Sequence, residues 1–222
     1  MSADTSTAKR IYASTQKPRY LPHLAAYLRS PARGTIYADV LRWRQELGLH
    51  LTEREMLFHL LTWYPEFRSL FYFRLGHAGQ ALSRLAKGMP TLHFAMDRDR
   101  VGPGLFVQHG FATIVSAERI GENCWINQQV TIGYSDGTRC PVIEDDVTVG
   151  AGAIIIGDVV VGAGSTVGAG AVVVSDVPPD SVVVGVPART VNRAVLDARD
   201  DGRPEDVERS DPMNAHHDTR TR

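Results

Sequence analysis

The sequence has few cysteines, no excess of basic residues and no long apolar segment, and each of these absences excludes a class of protein. Only two of its 222 residues are cysteine. Neither belongs to a Cys-x-x-Cys pair, which argues against a disulfide-stabilised scaffold, a zinc ribbon or a thioredoxin motif. Lysine and arginine number 24 against 25 aspartates and glutamates, so we expect no nucleic-acid partner. No run of about 18 apolar residues predicts a membrane span, and residues 1–19 lack the apolar core of a signal peptide. We therefore expect a cytoplasmic protein.

The first part of the chain has the apolar spacing of helices. We predict a disordered, polar N-terminus over residues 1–20 and an α-helical region over residues 21–92. Thr52 and Glu55 have the spacing of a capping box at the start of a helix, and Pro65 is expected to end or kink that helix. At the other end of the chain, residues 195–222 are charged and poor in apolar side chains, which predicts a disordered tail.

From residue 101 onward, aliphatic residues recur every six positions. The regular members are Ile143, Val149, Ile155, Val161, Val167 and Val173, and the earlier members are Val101, Val107, Ile120, Ile126 and Ile132. A period of six is neither that of a helix nor that of a simple hairpin sheet, and it is typical of the hexapeptide β-helix. We therefore predict a mainly β fold, with a parallel β-helix over residues 93–194 that has about twelve units in about four triangular coils.

Glycines and two interruptions punctuate this repeat. Glycine follows many of the aliphatic positions, where we expect it to accept positive φ at the corners; these positions are Gly102, Gly121, Gly133, Gly150, Gly162 and Gly168. One extra residue is expected between Thr113 and Arg119. A longer insertion separates Ile132 from Ile143, and a loop that leaves a solenoid is a common place for binding groups.

Several motifs within the repeat are similar to those of one enzyme family. They are His109-Gly110, Val130-Thr131-Ile132-Gly133, Gly150-Ala151-Gly152-Ala153, Gly168-Ala169-Gly170-Ala171 and Gly185-Val186-Pro187-Ala188-Arg189. Together they resemble the serine acetyltransferase family, which belongs to the left-handed β-helix acyltransferases. The resemblance implies a left-handed solenoid, acetyl-CoA as co-substrate, no metal, and acetylation of serine as the first step towards cysteine. It also implies a homotrimer or a dimer of trimers, with active sites between neighbouring prisms.

The resemblance assigns roles to particular residues. It implies that His109 is the general base, and a neutral imidazole suits this role at neutral pH; the alternative is a surface or packing histidine. For coenzyme A it implies a groove lined by Gly133, Ala151 and Ala169; the alternative for the two alanines is that they only satisfy the geometry of the corners. It also implies that Arg189 lies near a phosphate, although Arg193 is a competing cation. The acceptor is expected to meet Gln108, Arg139 and Cys140.

Three positions depart from the family pattern. The family usually has an Asp fifteen residues before the catalytic His, where this chain has Phe94, and an Asp directly before that His, where it has Gln108. A His in the inserted loop is replaced by Cys140. Asp97 or Asp99 could orient His109 instead, although the expected role of each is that of a solvated loop carboxylate. Cys140 has no adjacent histidine that would make it a nucleophile, and Cys124 is expected in the core.

These departures leave other functions open. The acceptor could be a sugar or another small hydroxyl compound, and the chain could be a non-catalytic relative that keeps only the prism. A metal lyase on the same fold would need three histidine ligands, whereas the repeats contain only His109.

Overall fold

A computed structural model describes residues 2–135, 137 and 139–191 of the chain, without the side chains of residues 2–14 and 17. The tail predicted over residues 195–222 and Arg193 lie outside these described residues. Within them, five helices precede a long series of short strands. None of the helices in the described part is long and apolar enough to cross a membrane.

The helices cover more of the N-terminus than the sequence predicted. Their bounds are Ser2–Arg29 (α1), Arg33–Glu46 (α2), Glu53–Trp63 (α3), Pro65–Leu75 (α4) and His77–Leu82 (α5). α1 begins at Ser2, within the segment that the sequence predicts to be disordered. The second half of this helix is anchored by Tyr20, His23 and Tyr27, which share one face and are buried against the later helices.

The ends of α3 follow the predicted signals. The Thr52 hydroxyl accepts a hydrogen bond from the Glu55 backbone N–H, and the Glu55 carboxylate accepts one from the Thr52 backbone N–H. This reciprocal pair is the predicted capping box. α3 ends at Trp63, and Pro65 occupies the first position of α4, where its missing N–H costs no helical hydrogen bond.

The rest of the described chain forms a parallel β-solenoid, consistent with a left-handed β-helix. Its strands are Leu92–Phe94 (β1), Phe106–Val107 (β2), Thr113–Val115 (β3), Arg119–Ile120 (β4), Trp125–Ile126 (β5), Thr131–Gly133 (β6), Val142–Ile143 (β7), Thr148–Val149 (β8), Ile154–Ile156 (β9), Val160–Val161 (β10), Thr166–Val167 (β11), Val172–Val173 (β12), Val182–Val184 (β13) and Arg189–Val191 (β14). A short 3₁₀ turn, Arg98–Arg100, follows β1.

These strands make three faces. Face A has the order β1-β3-β6-β9-β12, face B has β4-β7-β10, and face C has β2-β5-β8-β11-β13 with β14 added antiparallel at its end. Bridges from Val101 to Ile120 and from Val161 to Val177 extend face B at both ends. The solenoid therefore has five coils rather than the predicted four. The boundary predicted at residue 93 falls inside β1, because the first coil begins at Leu92.

The residues at period six fill the interior, as predicted. Ile143, Val149, Ile155, Val161 and Val167 are fully buried, and Val173 is 1% exposed. In each case a strand residue pairs with the residue at the same position in the next coil, for example Ile132 with Ile155 and Ile155 with Val173. Each unit thus buries its aliphatic side chain only because its neighbours are stacked on it.

The glycines after the aliphatic positions have a different function from the predicted one. Gly102, Gly121, Gly150 and Gly162 are not among the residues with positive φ. Instead, a Cβ on Gly150 would lie 2.6 Å from the backbone nitrogen of Ala169, so these glycines let successive coils approach each other. Positive φ occurs two residues further along the same corners. Between faces B and C it is found at Gly104, Asn123, Asp146, Gly164 and Asp180, and between faces C and A at Gln129, Gly152 and Gly170, among others.

A buried polar cluster joins the helices to the first coil. Arg74 of α4 donates two hydrogen bonds to Asp39 of α2, at 2.9 and 3.1 Å, and also donates to the carbonyls of Val101 and Gly102. Asp39 in turn accepts from the Leu105 N–H at 3.0 Å, and the Trp43 indole donates to the Leu105 carbonyl at 3.0 Å. The two regions are therefore fixed relative to each other by side chains that bind backbone groups of the first coil.

Candidate active site

His109 lies on an unusually long corner of the solenoid. The chain passes from face C to face A along a line of corners that we call the CA edge. Val107 and Val115 flank the His109 corner and are eight positions apart, whereas Val149 and Ile155 flank a regular corner and are six apart. The extra residues are therefore at this corner, and the predicted position between Thr113 and Arg119 was wrong.

The backbone of this corner holds His109 in an uncommon conformation. Its φ is +63°, and the φ of Gly110 is +53°. Non-glycine residues with positive φ also occur at other corners of this solenoid, such as Asn123 and Gln129, so the extra length is what distinguishes this corner. A Cβ on Gly110 would lie 3.1 Å from Val107 Cγ1 and 3.2 Å from both Leu92 Cδ2 and Glu66 Cβ. Gly110 is thus enclosed, while the His109 side chain is exposed and free to meet a substrate.

The CA edge continues as a stacked row below His109. The N–H of Gln129 donates to the Phe111 carbonyl, the N–H of Gly152 to that of Gln128, and the N–H of Gly170 to that of Ala151. Gln128, Ala151 and Ala169 therefore occupy equivalent positions in successive coils. At the last coil, the Ala188 N–H donates to the Val172 carbonyl at 2.7 Å, which brings Arg189 to the same edge.

The other predicted site residues lie on the opposite side of face A, where the chain passes to face B (the AB edge). Gly133 ends β6, and a Cβ added to it would meet open space. Cys140 precedes β7, and its Sγ is 3.7 Å from the Ser116 hydroxyl at the end of β3. Arg139 forms an ion pair with Asp158. At about 3.3 Å per residue, the three-residue strands of face A separate the two edges by roughly 10 Å.

The structure therefore divides the predicted site residues into two groups. Gln108, His109, Ala151, Ala169 and Arg189 lie along the CA edge, and Gly133, Arg139 and Cys140 lie along the AB edge. One chain does not bring the two groups together, because its own face A lies between them.

The two aspartates considered as partners of His109 are exposed carboxylates at the AB edge. Asp97 and Asp99 follow β1 at the AB edge, where they pair with Arg100 and Arg98 at 3.9 and 3.7 Å, and their side chains are 83% and 91% exposed. The Phe94 ring stacks on Phe73, with ring centroids 4.6 Å apart. Neither aspartate therefore lies beside His109 of the same chain, and position 94 has no carboxylate.

A carboxylate that the sequence did not single out lies beside the His109 corner. Glu66, in the first turn of α4, is 7% exposed, and its Cβ is one of the atoms that enclose Gly110. Burial raises the pKa of its carboxyl above the usual value, while the nearby Arg68 opposes this shift. In sequence, an acidic residue after Pro65 indicates only a favourable interaction with the helix dipole, so no signal connected it with residue 109.

The cysteines and possible metal ligands give little further chemistry. Cys124 is fully buried, as predicted, and burial raises its thiol pKa to about 12, so it stays a neutral core side chain. Cys140 is half-buried, with the Ser116 hydroxyl as its neighbour. Within the described ranges, no group of three or more His, Cys, Asp or Glu side chains is placed to hold a metal ion.

Comparison with known proteins points to one family. The family model for the bacterial transferase hexapeptide (six repeats) matches residues 140–175. The serine acetyltransferase of Bacillus subtilis is 32% identical over 165 residues, which cover 72% of this chain and 70% of that protein. The serine acetyltransferase of Synechococcus elongatus is 35% identical over 151 residues, but this chain spans only 60% of its length.

Solved structures of similar proteins have the same architecture. The serine acetyltransferase of Neisseria gonorrhoeae in complex with serine has a TM-score of 0.62 at 26% identity, and the match covers 77% of this chain and 73% of that one. A serine acetyltransferase in complex with CoA has a TM-score of 0.57 at 25% identity, covering 75% and 73% of the two chains. The similarity therefore extends from the solenoid into the helical region.

Proposed function

The chain belongs to the serine acetyltransferase family, and from this we propose that it transfers the acetyl group of acetyl-CoA to the hydroxyl of L-serine. The observation that carries the proposal is the exposed His109 on its long, left-handed corner. The relatives named above, including one with serine bound and one with CoA bound, support the same reaction. Because acetyl-CoA is an intracellular metabolite, the proposed location is the cytoplasm.

In the proposed mechanism, His109 acts as a general base in a direct transfer. The neutral imidazole removes the hydroxyl proton of serine while the oxygen attacks the thioester carbonyl. The C–S bond of the tetrahedral intermediate then breaks, and the thiolate of coenzyme A takes the proton back from the imidazolium. No residue of the chain is acylated, and acetylserine and coenzyme A are the products. No metal is required by this scheme.

The CA edge offers a groove for the co-substrate. Ala151 and Ala169 are stacked there and carry only a methyl group, so an extended pantetheine arm can approach the backbone. Arg189, at the last coil, is exposed and suits a phosphate of coenzyme A. Gly133 has open space above it and lines the groove from the AB edge of a neighbouring chain.

The acceptor is proposed to meet Gln108 beside His109, and Arg139 and Cys140 of a neighbouring chain. The two groups of site residues lie about 10 Å apart on one chain, so a complete site needs two copies. A homotrimer, alone or paired into a dimer of trimers, would bring the CA edge of one prism against the AB edge of the next.

The reaction is tested by coenzyme A release from acetyl-CoA with L-serine. We expect serine-dependent release by the full chain, and a decrease of roughly 10²- to 10⁴-fold for His109→Ala. Sugars and other small hydroxyl compounds belong in the same assay, because Phe94, Gln108 and Cys140 replace residues usual in the family. Release with a sugar but not with serine would change the acceptor, and saturable acetyl-CoA binding without any turnover would support a non-catalytic relative.

The composite site is tested by mixing two inactive variants. His109→Ala damages one edge and Arg139→Ala the other. After dissociation and reassembly of an equal mixture, random pairing leaves roughly one site in four intact, so we expect about that fraction of the activity to return. A site contained in one chain would give no recovery, and light scattering that finds a monomer would contradict the assembly.

A further inference from the structure

The proposed base lacks the partner that a general base in this position requires. When His109 accepts a proton it becomes a cation, and a nearby carboxylate would hold the ring and stabilise that charge. Position 94 holds a phenylalanine stacked on Phe73, and Asp97 and Asp99 lie at the other edge of face A, paired with arginines. Within one chain, any such carboxylate therefore has to come from a different part of the fold.

Glu66 is in the right place to do so. α4 packs against β1, and the start of this helix lies under the His109 corner, with Glu66 Cβ 3.2 Å from the position of a Cβ on Gly110. Gly110 directly follows His109, and consecutive Cα atoms are about 3.8 Å apart. The rest of an extended glutamate side chain, from Cβ to the carboxylate oxygens, spans a similar distance, so the carboxylate is within reach of the imidazole.

Glu66 is favourably placed in the first turn of α4, but its carboxylate has no salt bridge among the described residues. Its carboxylate accepts a hydrogen bond from its own backbone N–H. Arg68 is the cation that acts on it, but Arg68 donates its own hydrogen bonds to the carbonyls of Leu61 and Lys87. Tyr64 is the other titratable group that interacts with it. Burying a carboxylate that has no salt bridge among the described residues carries a desolvation cost, and Glu66 is only 7% exposed. Groups of this kind are typical of functional sites.

We propose that Glu66 is the positioning residue of His109 and the counter-charge of its imidazolium, in place of the carboxylate missing at residue 94. During transfer, one ring nitrogen of His109 takes the serine proton while the N–H of the other donates to Glu66. The proton then passes to the departing thiolate, and Glu66 ends the cycle unchanged. The assignment rests on the proposed role of His109 as base, but not on the identity of the acceptor.

The first test follows the His109 ring by NMR in the full chain, with the His109→Ala spectrum identifying its resonances. In Glu66→Gln, which keeps the shape of the side chain and removes its charge, we expect the ring protons to titrate about one pH unit lower than in the wild type. The matched control Glu46→Gln, which removes a carboxylate paired with Arg42 in α2, should leave the titration unchanged. An unchanged titration in Glu66→Gln would overturn the proposal, and this outcome does not depend on whether serine is the acceptor.

The second test uses steady-state kinetics. Glu66→Gln is expected to lower kcat/KM for the acceptor roughly 10²-fold, to shift the acid limb of the pH profile to lower pH, and to leave the KM for acetyl-CoA unchanged. Glu66→Asp, a shorter carboxylate, should recover part of the loss. In a His109→Ala background, Glu66→Gln should cause no further decrease. A full additional decrease in that background, or loss of folding in both Glu66 variants by thermal melting, would show a structural role instead.

Discussion

In the solenoid, one interior position is filled by valine or isoleucine in coil after coil, whereas the described helices contain no such repeated contact. The solenoid is held by many similar pairs, such as Ile132 with Ile155. The helical region depends on single contacts, such as Arg74 with Asp39 and His23 with Tyr72. The solenoid should therefore tolerate the loss of any one contact better than the helical region does.

The largest effect should come from the buried ion pair. Asp39→Asn keeps the shape of the side chain but leaves the Arg74 guanidinium, 2% exposed, without its counter-charge. We expect a loss of about 3–5 kcal/mol in the free energy of unfolding, measured by urea denaturation. The matched control is Glu46→Gln, which removes the more exposed Arg42–Glu46 pair and should cost about 1 kcal/mol or less. Equal effects of the two variants would contradict the comparison.

His23 should make the helical region sensitive to acid. Its Nε2 lies 3.0 Å from the Tyr72 hydroxyl, which donates to the Ala86 carbonyl. Burial, with help from Arg19 and Arg68, lowers the pKa of His23 from 6.5 to about 4. The unfolded chain therefore binds a proton that the folded chain does not bind until the pH approaches 4, so stability decreases as pH falls from about 6.5 to about 4. The decrease should reach at most about 3 kcal/mol.

The measurement for His23 is the free energy of unfolding as a function of pH, compared with His23→Gln. The difference between the two proteins isolates this one group from the other carboxylates and histidines. We expect the variant to lose stability less steeply over this pH window. Parallel curves would mean that His23 does not control the acid sensitivity of the helices.

The glycines of the solenoid provide a smaller effect with a built-in control. A Cβ on Gly121 would lie 2.6 Å from the Asp145 backbone nitrogen, whereas a Cβ on Gly170 meets nothing within 4 Å but φ there is +67°. We expect Gly121→Ala to cost about 2–3 kcal/mol through overpacking and Gly170→Ala to cost about 1 kcal/mol through backbone strain. Thermal melting checks which variant loses more stability. A larger loss in Gly170→Ala would mean that backbone strain at positive φ, rather than the close spacing of the coils, sets the need for glycine.

The smallest effect should come from the capping box. Thr52→Ala removes the hydroxyl that accepts the Glu55 N–H at the start of α3, and we expect a loss of about 1 kcal/mol in the free energy of unfolding. Thr62→Ala, in the last turn of the same helix, is the comparison, because its hydroxyl donates to a carbonyl that the helix already uses. A larger loss in Thr62→Ala would contradict the assigned role of the cap.

The interior of the solenoid could be predicted because every unit repeats the same requirement. The six aliphatic residues that recur every six positions from Ile143 to Val173 are all buried. The first coil escaped detection because Phe94 and Val101 are seven residues apart, with a 3₁₀ turn between them. The position of the extra residues at the His109 corner was also missed, since one residue fewer between Val115 and Ile120 partly cancels them.

The candidate site was predictable only where a local motif marks it. His109-Gly110 and the Gly-Ala turns can be recognised in sequence. Glu66 precedes the histidine by some forty residues, and its place depends on how α4 packs against β1. The same is true of α1, whose first residues resemble a disordered segment until Tyr20 and His23 meet the other helices. Contacts between distant segments without a repeat leave no periodic signal.

The polar cluster between the helices and the first coil also occupies backbone groups that a terminal coil of a solenoid would otherwise leave unpaired. A parallel solenoid can in principle grow without limit, because the unpaired N–H and C=O groups of each terminal coil are a template for another coil. Here the carbonyls of Val101, Gly102 and Leu105 and the N–H of Leu105 are taken by Arg74, Trp43 and Asp39, and β14 covers β13 at the far end with a strand of opposite direction. These backbone groups are therefore not free to pair with a further coil of another chain.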